Sequence, residues 1–281
     1  MIQPRAWIRV SRQVPCPVCE KPDWCTVTAD GALACCMRVP SERRAKNSGF
    51  IHKLSESTGG NRQLPPPQDR KLLLDCAAYH AALRRHWDWR WNDGFAMDLG
   101  VDPDALELLQ PAFDAANGAF AFPMRDGAGA VVGIRLRSRD GHKWAVRGSR
   151  EGLFYSPALA PGGEPLVICE GPTDTAAALT LGLQAVGRPS CSGGTEALAA
   201  LCKRLAVRRV VMLADCDAPH RRPDGSTWYP GRDGAQAFAR TLRRLWCMVL
   251  PPAKDVRAWL HAGATRAQFD ALTNNATWRL G

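Results

Sequence analysis

The chain has 281 residues, 46% of them hydrophobic, which is enough for one full core with one or two small satellites and too apolar for a disordered chain. Its 37 basic against 27 acidic residues leave a formal charge of +10, which favours a polyanionic partner, with nucleic acid the economical choice. No stretch approaches the ~18 apolar residues of a membrane helix, and the opening MIQPRAW lacks the apolar centre of a signal peptide, so a cytoplasmic protein with no membrane partner is expected.

Residues 1–54 read as a zinc-binding domain. Of eleven cysteines, five fall between Cys16 and Cys36 and the rest sit in apolar runs, so a reducing compartment with one metal site and buried thiols is expected rather than disulfides. Cys16-Pro-Val-Cys19 is a metal knuckle, since two thiolates two residues apart reach adjacent corners of a Zn2+ tetrahedron. Cys25 offers a third sulfur, and Cys35 and Cys36 follow a Thr-Ala-Asp-Gly turn. Adjacent residues on a strand point apart, so one of that pair binds; Cys36 is favoured, and Cys16, Cys19, Cys25 and Cys36 form the expected set. The segment has too few large apolar residues to fold without the metal.

Residues 55–70 (SESTGGNRQLPPPQDR) have the composition of a semi-rigid linker. Residues 71–160 read as a small mixed α+β subdomain. A helix is expected from Lys71 to about Trp87, with Leu73, Ala77, Leu83 and Trp87 near helical spacing, followed by a β-rich stretch. AFAFP (119–123), AVVGIRLR (130–137) and KWAV (143–146), separated by Asp-Gly turns, predict antiparallel hairpins. Arg135 and Arg137 are two apart and share a sheet face, with Lys143 beyond the turn, a row suited either to phosphate binding or to an ordinary solvated face. Trp87, Trp89 and Trp91 read as packing residues in preference to stacking platforms for unpaired bases.

From Glu164 onward strands and helices alternate. LVIC (166–169), a helix near 173–182, QAVG (184–187), a helix near 195–206, VVMLA (210–214), a helix near 234–245 and CMVL (247–250) predict a parallel sheet covered on both faces over 161–281. The apolar runs end in carboxylates: Glu170 with Asp174, then Asp215 and Asp217. The ends of such strands are where α/β sheets build their sites, and converging carboxylates call for a hard cation, Mg2+ or Mn2+, with phosphate oxygens as co-ligands. The plain structural alternative makes Glu170 and Asp174 helix caps and Asp215 and Asp217 turn formers.

Glu170-Gly-Pro-Thr-Asp174, Asp215-Cys-Asp217 and Lys254-Asp255 together resemble the Toprim domain shared by bacterial-type primases, topoisomerases and some nucleases. With the cysteine knuckle and the Pro-hairpin-Lys-aromatic phrase, the resemblance extends over most of the chain to bacterial and phage DNA primases with an N-terminal zinc ribbon. It implies an α/β fold in which a Rossmann-like parallel Toprim sheet follows a basic subdomain and a zinc ribbon that reads template. It implies Glu170, Asp215 and Asp217 as catalytic residues, with Asp174 and Asp255 completing a divalent-cation cluster, and Arg135, Arg137 and Lys143 as cations lining the nucleic-acid groove. Lys254-Asp255 reads otherwise as a helix cap or a surface ion pair. The expected reaction is RNA primer synthesis from nucleoside triphosphates on single-stranded DNA, in the replication of a phage, plasmid or other mobile element. With no GxxxxGK[ST] loop, the replicative helicase would be a separate chain. A metal-dependent Toprim nuclease and a non-catalytic single-stranded-DNA binder are the other readings. The chain departs from the compact Toprim pattern at 218–232 (APHRRPDGSTWYPGR), which places His220, Arg221, Arg222 and Arg232 beside the acidic residues, either on substrate or in a solvated loop.

Overall fold

The computed structural model describes residues 7–11, 13–45, 49–54, 74–162, 165–190, 193–221 and 225–281. The linker at 55–70, the start of the helix expected from Lys71, and Arg222 lie outside them. The chain divides into two compact units, Met1–Lys71 and Leu72–Gly281.

The first unit is a five-stranded antiparallel sheet of β1 (Trp7–Arg9), β2 (Thr26–Thr28), β3 (Leu33–Cys36), β4 (Arg44–Ala45) and β5 (Gly49–Lys53), in the order β1-β2-β3-β5-β4. Asp30-Gly31 turns β2 into β3: Gly31 takes φ +68°, and the Asp30 carboxylate accepts from the Ala32 N–H at 3.1 Å. Its buried apolar residues are few and small, and Cys16, Cys25 and Cys36 are three of them.

The second unit opens with three helices, α1 (Cys76–Arg84), α2 (Trp89–Leu99) and α3 (Pro103–Glu107). The helix expected to run to Trp87 therefore stops three residues short, and α2 and α3 occupy ground read as β-rich. Local caps explain the difference. The Asp88 side chain accepts from the N–H groups of Arg90 and Trp91 and starts a new helix, Gly100 in the left-handed region ends it, and Asp102 caps the next. A four-stranded antiparallel meander follows: β6 (Ala112–Asp114), β7 (Ala119–Arg125), β8 (Val131–Arg137) and β9 (Lys143–Ala145). β7 is buried along its whole length, because Phe120, Phe122 and Met124 pack under α2 and α3 while Ala119 and Ala121 face the side toward α1. Trp87 and Trp91 pack against Phe113 and Phe120, whereas Trp89 is 68% exposed.

The remaining elements are β10 (Leu166–Glu170), α4 (Gly171–Thr180), β11 (Ala185–Arg188), α5 (Thr195–Arg204), β12 (Arg209–Leu213), the short hairpin β13 (His220–Arg221) and β14 (Thr227–Trp228), α6 (Pro230–Ala239), β15 (Leu245–Val249), α7 (Val256–His261), α8 (Arg266–Asn274) and β16 (Arg279–Leu280). The sheet order is β11-β10-β12-β15-β16. The first four strands run parallel, but β16 joins β15 antiparallel, so the sheet is mixed and the expectation of a purely parallel one is corrected. The sequence ATWRL carried too short an apolar pattern to declare that edge. α6 begins at Pro230, four residues before the expected start, since proline fixes φ and needs no N–H partner in a first turn.

Two cores flank this sheet. One gathers Val167, Cys169, Val211 and Leu213 with α4, α7, α8 and the aromatic face of α2 and β7; the other gathers Ile168, Val186, Val210 and Met212 with α5 and α6. Odd and even strand residues divide between them, as period-two side chains require. The segment around Leu153 and Phe154 ties the meander to the sheet. Arg125 and Leu153 exchange backbone hydrogen bonds at 2.8 and 2.7 Å, and Phe154 and Gly187 do the same at 2.9 and 2.8 Å. This double bridge holds the cationic meander beside the carboxylate-bearing edge.

Candidate metal centre and nucleic-acid site

The four sulfurs of Cys16, Cys19, Cys25 and Cys36 all lie within 4.8 Å of one another, the tightest group of metal-ligating side chains among the described residues. Cys19 Sγ stands 3.7 Å from Cys25 Sγ, and Cys25 Sγ 3.9 Å from Cys36 Sγ. A tetrahedron with Zn–S bonds of ~2.3 Å has edges of about 3.8 Å, so the set fits zinc. The backbone aims donors at two of the sulfurs: the N–H of Met37 points at Cys25 Sγ (3.4 Å), and those of Arg38 and Val39 at Cys36 Sγ (3.4 and 3.3 Å). Burial pushes the Cys25 thiol up to about 12. Burial also acts upward on Cys19, but hydrogen bonds from the Lys21 backbone and the neighbouring thiols bring it down to about 7. Four thiolates in this space need a cation. Cys35 lies outside the group; its Sγ stands against Gly49, 2.7 Å from where a Cβ would sit.

In the second unit the carboxylates arrive from four elements. Glu170 ends β10, Asp174 lies in the first turn of α4, Asp215 and Asp217 follow β12, and Asp255 caps α7 by accepting from the Ala258 N–H at 2.7 Å. β10 and β12 are hydrogen-bonded neighbours, so the first and second acidic motifs end side by side at the C-terminal edge. Two close approaches and two hydrogen bonds hold the loops there. Gly187 lets β11 touch the start of α4, since a Cβ would fall 2.3 Å from Thr175 Oγ1; Gly231 lets α6 meet the Asp-Cys-Asp loop, since a Cβ would fall 2.7 Å from the Asp215 carbonyl. The Gly231 N–H donates to Asp217 Oδ2 at 3.0 Å, and the Cys216 N–H donates to the Lys254 carbonyl at 2.7 Å.

The electrostatics show convergence. Burial, then Asp174, Glu170, Asp255 and Asp217 in that order, push Asp215 up to about 8. Burial and Asp255 push Asp174 up to about 7, against Arg257 and Lys143. Burial raises Glu170, opposed by Arg188 and Lys143. Asp174 Oδ1 is buried with no hydrogen-bond partner among the described residues. A crowd of carboxylates that repel one another, with one buried oxygen unsatisfied, fits hard divalent cations. The oxygens are spread more widely than the cysteine sulfurs.

The predicted cations separate in the structure. Arg137 and Lys143 are register partners across β8 and β9; Arg137 senses Asp174, and Lys143 senses Glu170 and Asp174, so both stand toward the acidic edge. Arg135 turns to another task, donating from Nη2 to the Pro189 carbonyl at 3.2 Å. Two further cations beside the acidic edge escaped the sequence reading: Arg188, register partner of Glu170, and Arg257, near Asp174 and Arg137. Both carried a readable signal, a charge at the end of a buried strand and a charge two residues after Asp255. His220 and Arg221 are exposed on the hairpin, and Arg232 stacks over Tyr229 at 4.0 Å while pairing with Asp233.

Neither a family model nor a curated protein sequence matches the chain. Solved structures do. The DnaG primase catalytic domain bound to single-stranded DNA aligns with a TM-score of 0.55 at 16% identity, covering 74% of this chain and 79% of that one. The E. coli primase catalytic core aligns at 0.54 and 16%, over 74% and 80%. The fold is that of a primase catalytic core. The zinc-binding and RNA polymerase domains of the Aquifex aeolicus primase align at 0.55 and 14%, covering 75% of this chain and 62% of that one. Within this fold, Arg137 of β8 and Lys143 of β9 stand toward the acidic edge.

Proposed function

We propose that this chain is a DNA primase of a phage, plasmid or other mobile element, which polymerises nucleoside triphosphates into short RNA on single-stranded DNA in the cytoplasm, beside a helicase on a separate chain. The observation that carries the reading is the meeting of five carboxylates with Arg137, Lys143 and Arg257 at one edge of a primase-core fold. A pure binder of nucleic acid gains nothing from negative charge facing phosphate. Asp215, Asp217 and Glu170, with Asp174 and Asp255 behind them, are the residues that would hold divalent cations. Bound there, such cations supply neutralisation of triphosphate charge and polarisation of a 3′-hydroxyl for in-line attack. Arg137 and Lys143 hold phosphates of template or primer against the cleft, and Gly231 keeps the Asp-Cys-Asp loop in place. Cys16, Cys19, Cys25 and Cys36 hold a structural Zn2+ in a module that contacts template. The likeness to the DnaG domain bound to single-stranded DNA supports that substrate.

The test is the full chain with single-stranded DNA, labelled nucleoside triphosphates and Mg2+, products resolved by length. Short new RNA oligomers are expected, and Asp215→Asn or Asp217→Asn should abolish them. Shortened template would make the protein a nuclease, and unchanged DNA with only a mobility shift would make it a binder.

A further inference from the structure

Arg188 is a full charge at the end of a buried strand, and it is 2% exposed. A guanidinium so placed needs compensation close by, because an uncompensated buried charge is costly. Parity along the strands shows where it points. Ile168 and Val186 lie in the core that contains Phe238, and Glu170 and Arg188 are each two residues further along, on the same side. The β10–β11 register pairs Glu170 directly with Arg188, and the Arg188 guanidinium lies 4.7 Å over the Phe238 ring, which fixes it from the α6 side. Arg188 is also the largest influence lowering Glu170 against the effect of burial.

We propose that Arg188 is a built-in counterion for Glu170, a positioning residue that withholds part of this carboxylate's charge and so limits how strongly the acidic edge takes up divalent cations. The inference rests on the reading of that edge as a divalent-cation site. Among the described residues no strand register places an arginine opposite Asp215 or Asp217, and Asp174 senses Arg257 from α7. Asp217 and Asp255 are held by backbone N–H groups, from Gly231 and Ala258, whereas Glu170 is the carboxylate with a guanidinium in register beside it. Phe238 is the anchor that stops Arg188 from swinging into the cleft when cations and triphosphate compete for Glu170.

The test needs no nucleic acid. Mn2+ binding to the full chain, zinc-loaded and free of other divalent cations, is measured by calorimetry for the parent, R188Q, R188K and E170Q. R188Q should bind Mn2+ about tenfold more tightly, the scale of removing one opposing unit charge from the site. R188K, which keeps the charge, should stay near the parent. A double-mutant cycle on melting temperature guards against a variant that is merely misfolded: E170Q should lower the melting temperature by stranding Arg188, and R188Q added to E170Q should recover it. Equal Mn2+ affinity in parent and R188Q, or a cycle with no coupling, overturns the inference while leaving the cation site intact. A parent that takes up no Mn2+ overturns the cation reading and this inference with it.

Discussion

At the scale of single residues, the acidic site is held in a state that costs stability until a cation arrives. Asp215 and Asp174 sit at about 8 and about 7 against an ordinary 3.8. Between these values the folded chain holds more protons than the unfolded one, so without divalent cation stability falls as pH rises from about 4 to about 8. The melting temperature in Mg2+-free buffer should decline across that range, and saturating Mg2+ should flatten the decline. Asp215→Asn should remove part of the slope and raise the melting temperature at pH 8 while abolishing synthesis. A variant that melts lower than the parent at pH 8 would show that Asp215 supports the fold. The residue types were legible in the sequence because carboxylates after apolar runs have few structural uses. Their protonation was not, since it depends on burial and on charges that arrive from α4 and α7.

At the scale of elements, β8 and β9 show how far pattern reading reaches. The hairpin was readable from its turns and apolar alternation, and with it the shared face of Arg135, Arg137 and Lys143. What pattern could not tell is that Arg135 is taken by the Pro189 carbonyl while Arg137 stands opposite Lys143 near the carboxylates. Arg137→Ala with Lys143→Ala should therefore weaken single-stranded DNA binding and reduce the log–log salt slope by about 1.4, at ~0.7 per lost phosphate contact. Arg135→Ala should leave the slope unchanged and instead lower the melting temperature, because its partner is a backbone carbonyl of the second unit. Salt titration of binding separates the two; an unchanged slope in both variants would place all three residues on a solvated face, and a drop of about 0.7 for Arg135→Ala would put Arg135 on DNA as well. Helices α2 and α3 are the opposite case. Their sequences carry caps at Asp88, Gly100 and Asp102, but a run of tryptophans masked the start, and their apolar face became meaningful only against Phe120 and Phe122.

On the scale of the whole molecule, the chain is two compact units with separate sources of stability. The second has two hydrophobic cores; the first has a small cluster built largely from cysteines. A structural zinc contributes on the order of 10 kcal/mol to such a module. Removing residues 1–71 should leave 72–281 folded and able to bind Mg2+, yet poor at initiating on templates that the full chain uses. Metal analysis should find about one zinc per full-length chain and none in the truncation. Cys36→Ser should lose the metal and Cys35→Ser should keep it, because Cys35 Sγ faces Gly49 instead of the other sulfurs. Zinc-free full-length protein would overturn the module.

By itself the sequence determined which chemistry the chain can do and where along it: a knuckle of thiols, strands that are apolar on both faces, and acids at their ends. These follow from local spacing and solubility, which a sequence states directly. The tertiary structure alone decided which charges meet. Glu170 and Arg188 are eighteen positions apart and become partners only through the β10–β11 register, and Asp255 reaches Asp215 only because α7 packs on α4. The antiparallel β16 is of the same kind, since two residues join an edge only when β15 is already there to receive them. Electrostatic coupling acts over a few ångströms of space, and no spacing along a chain encodes it.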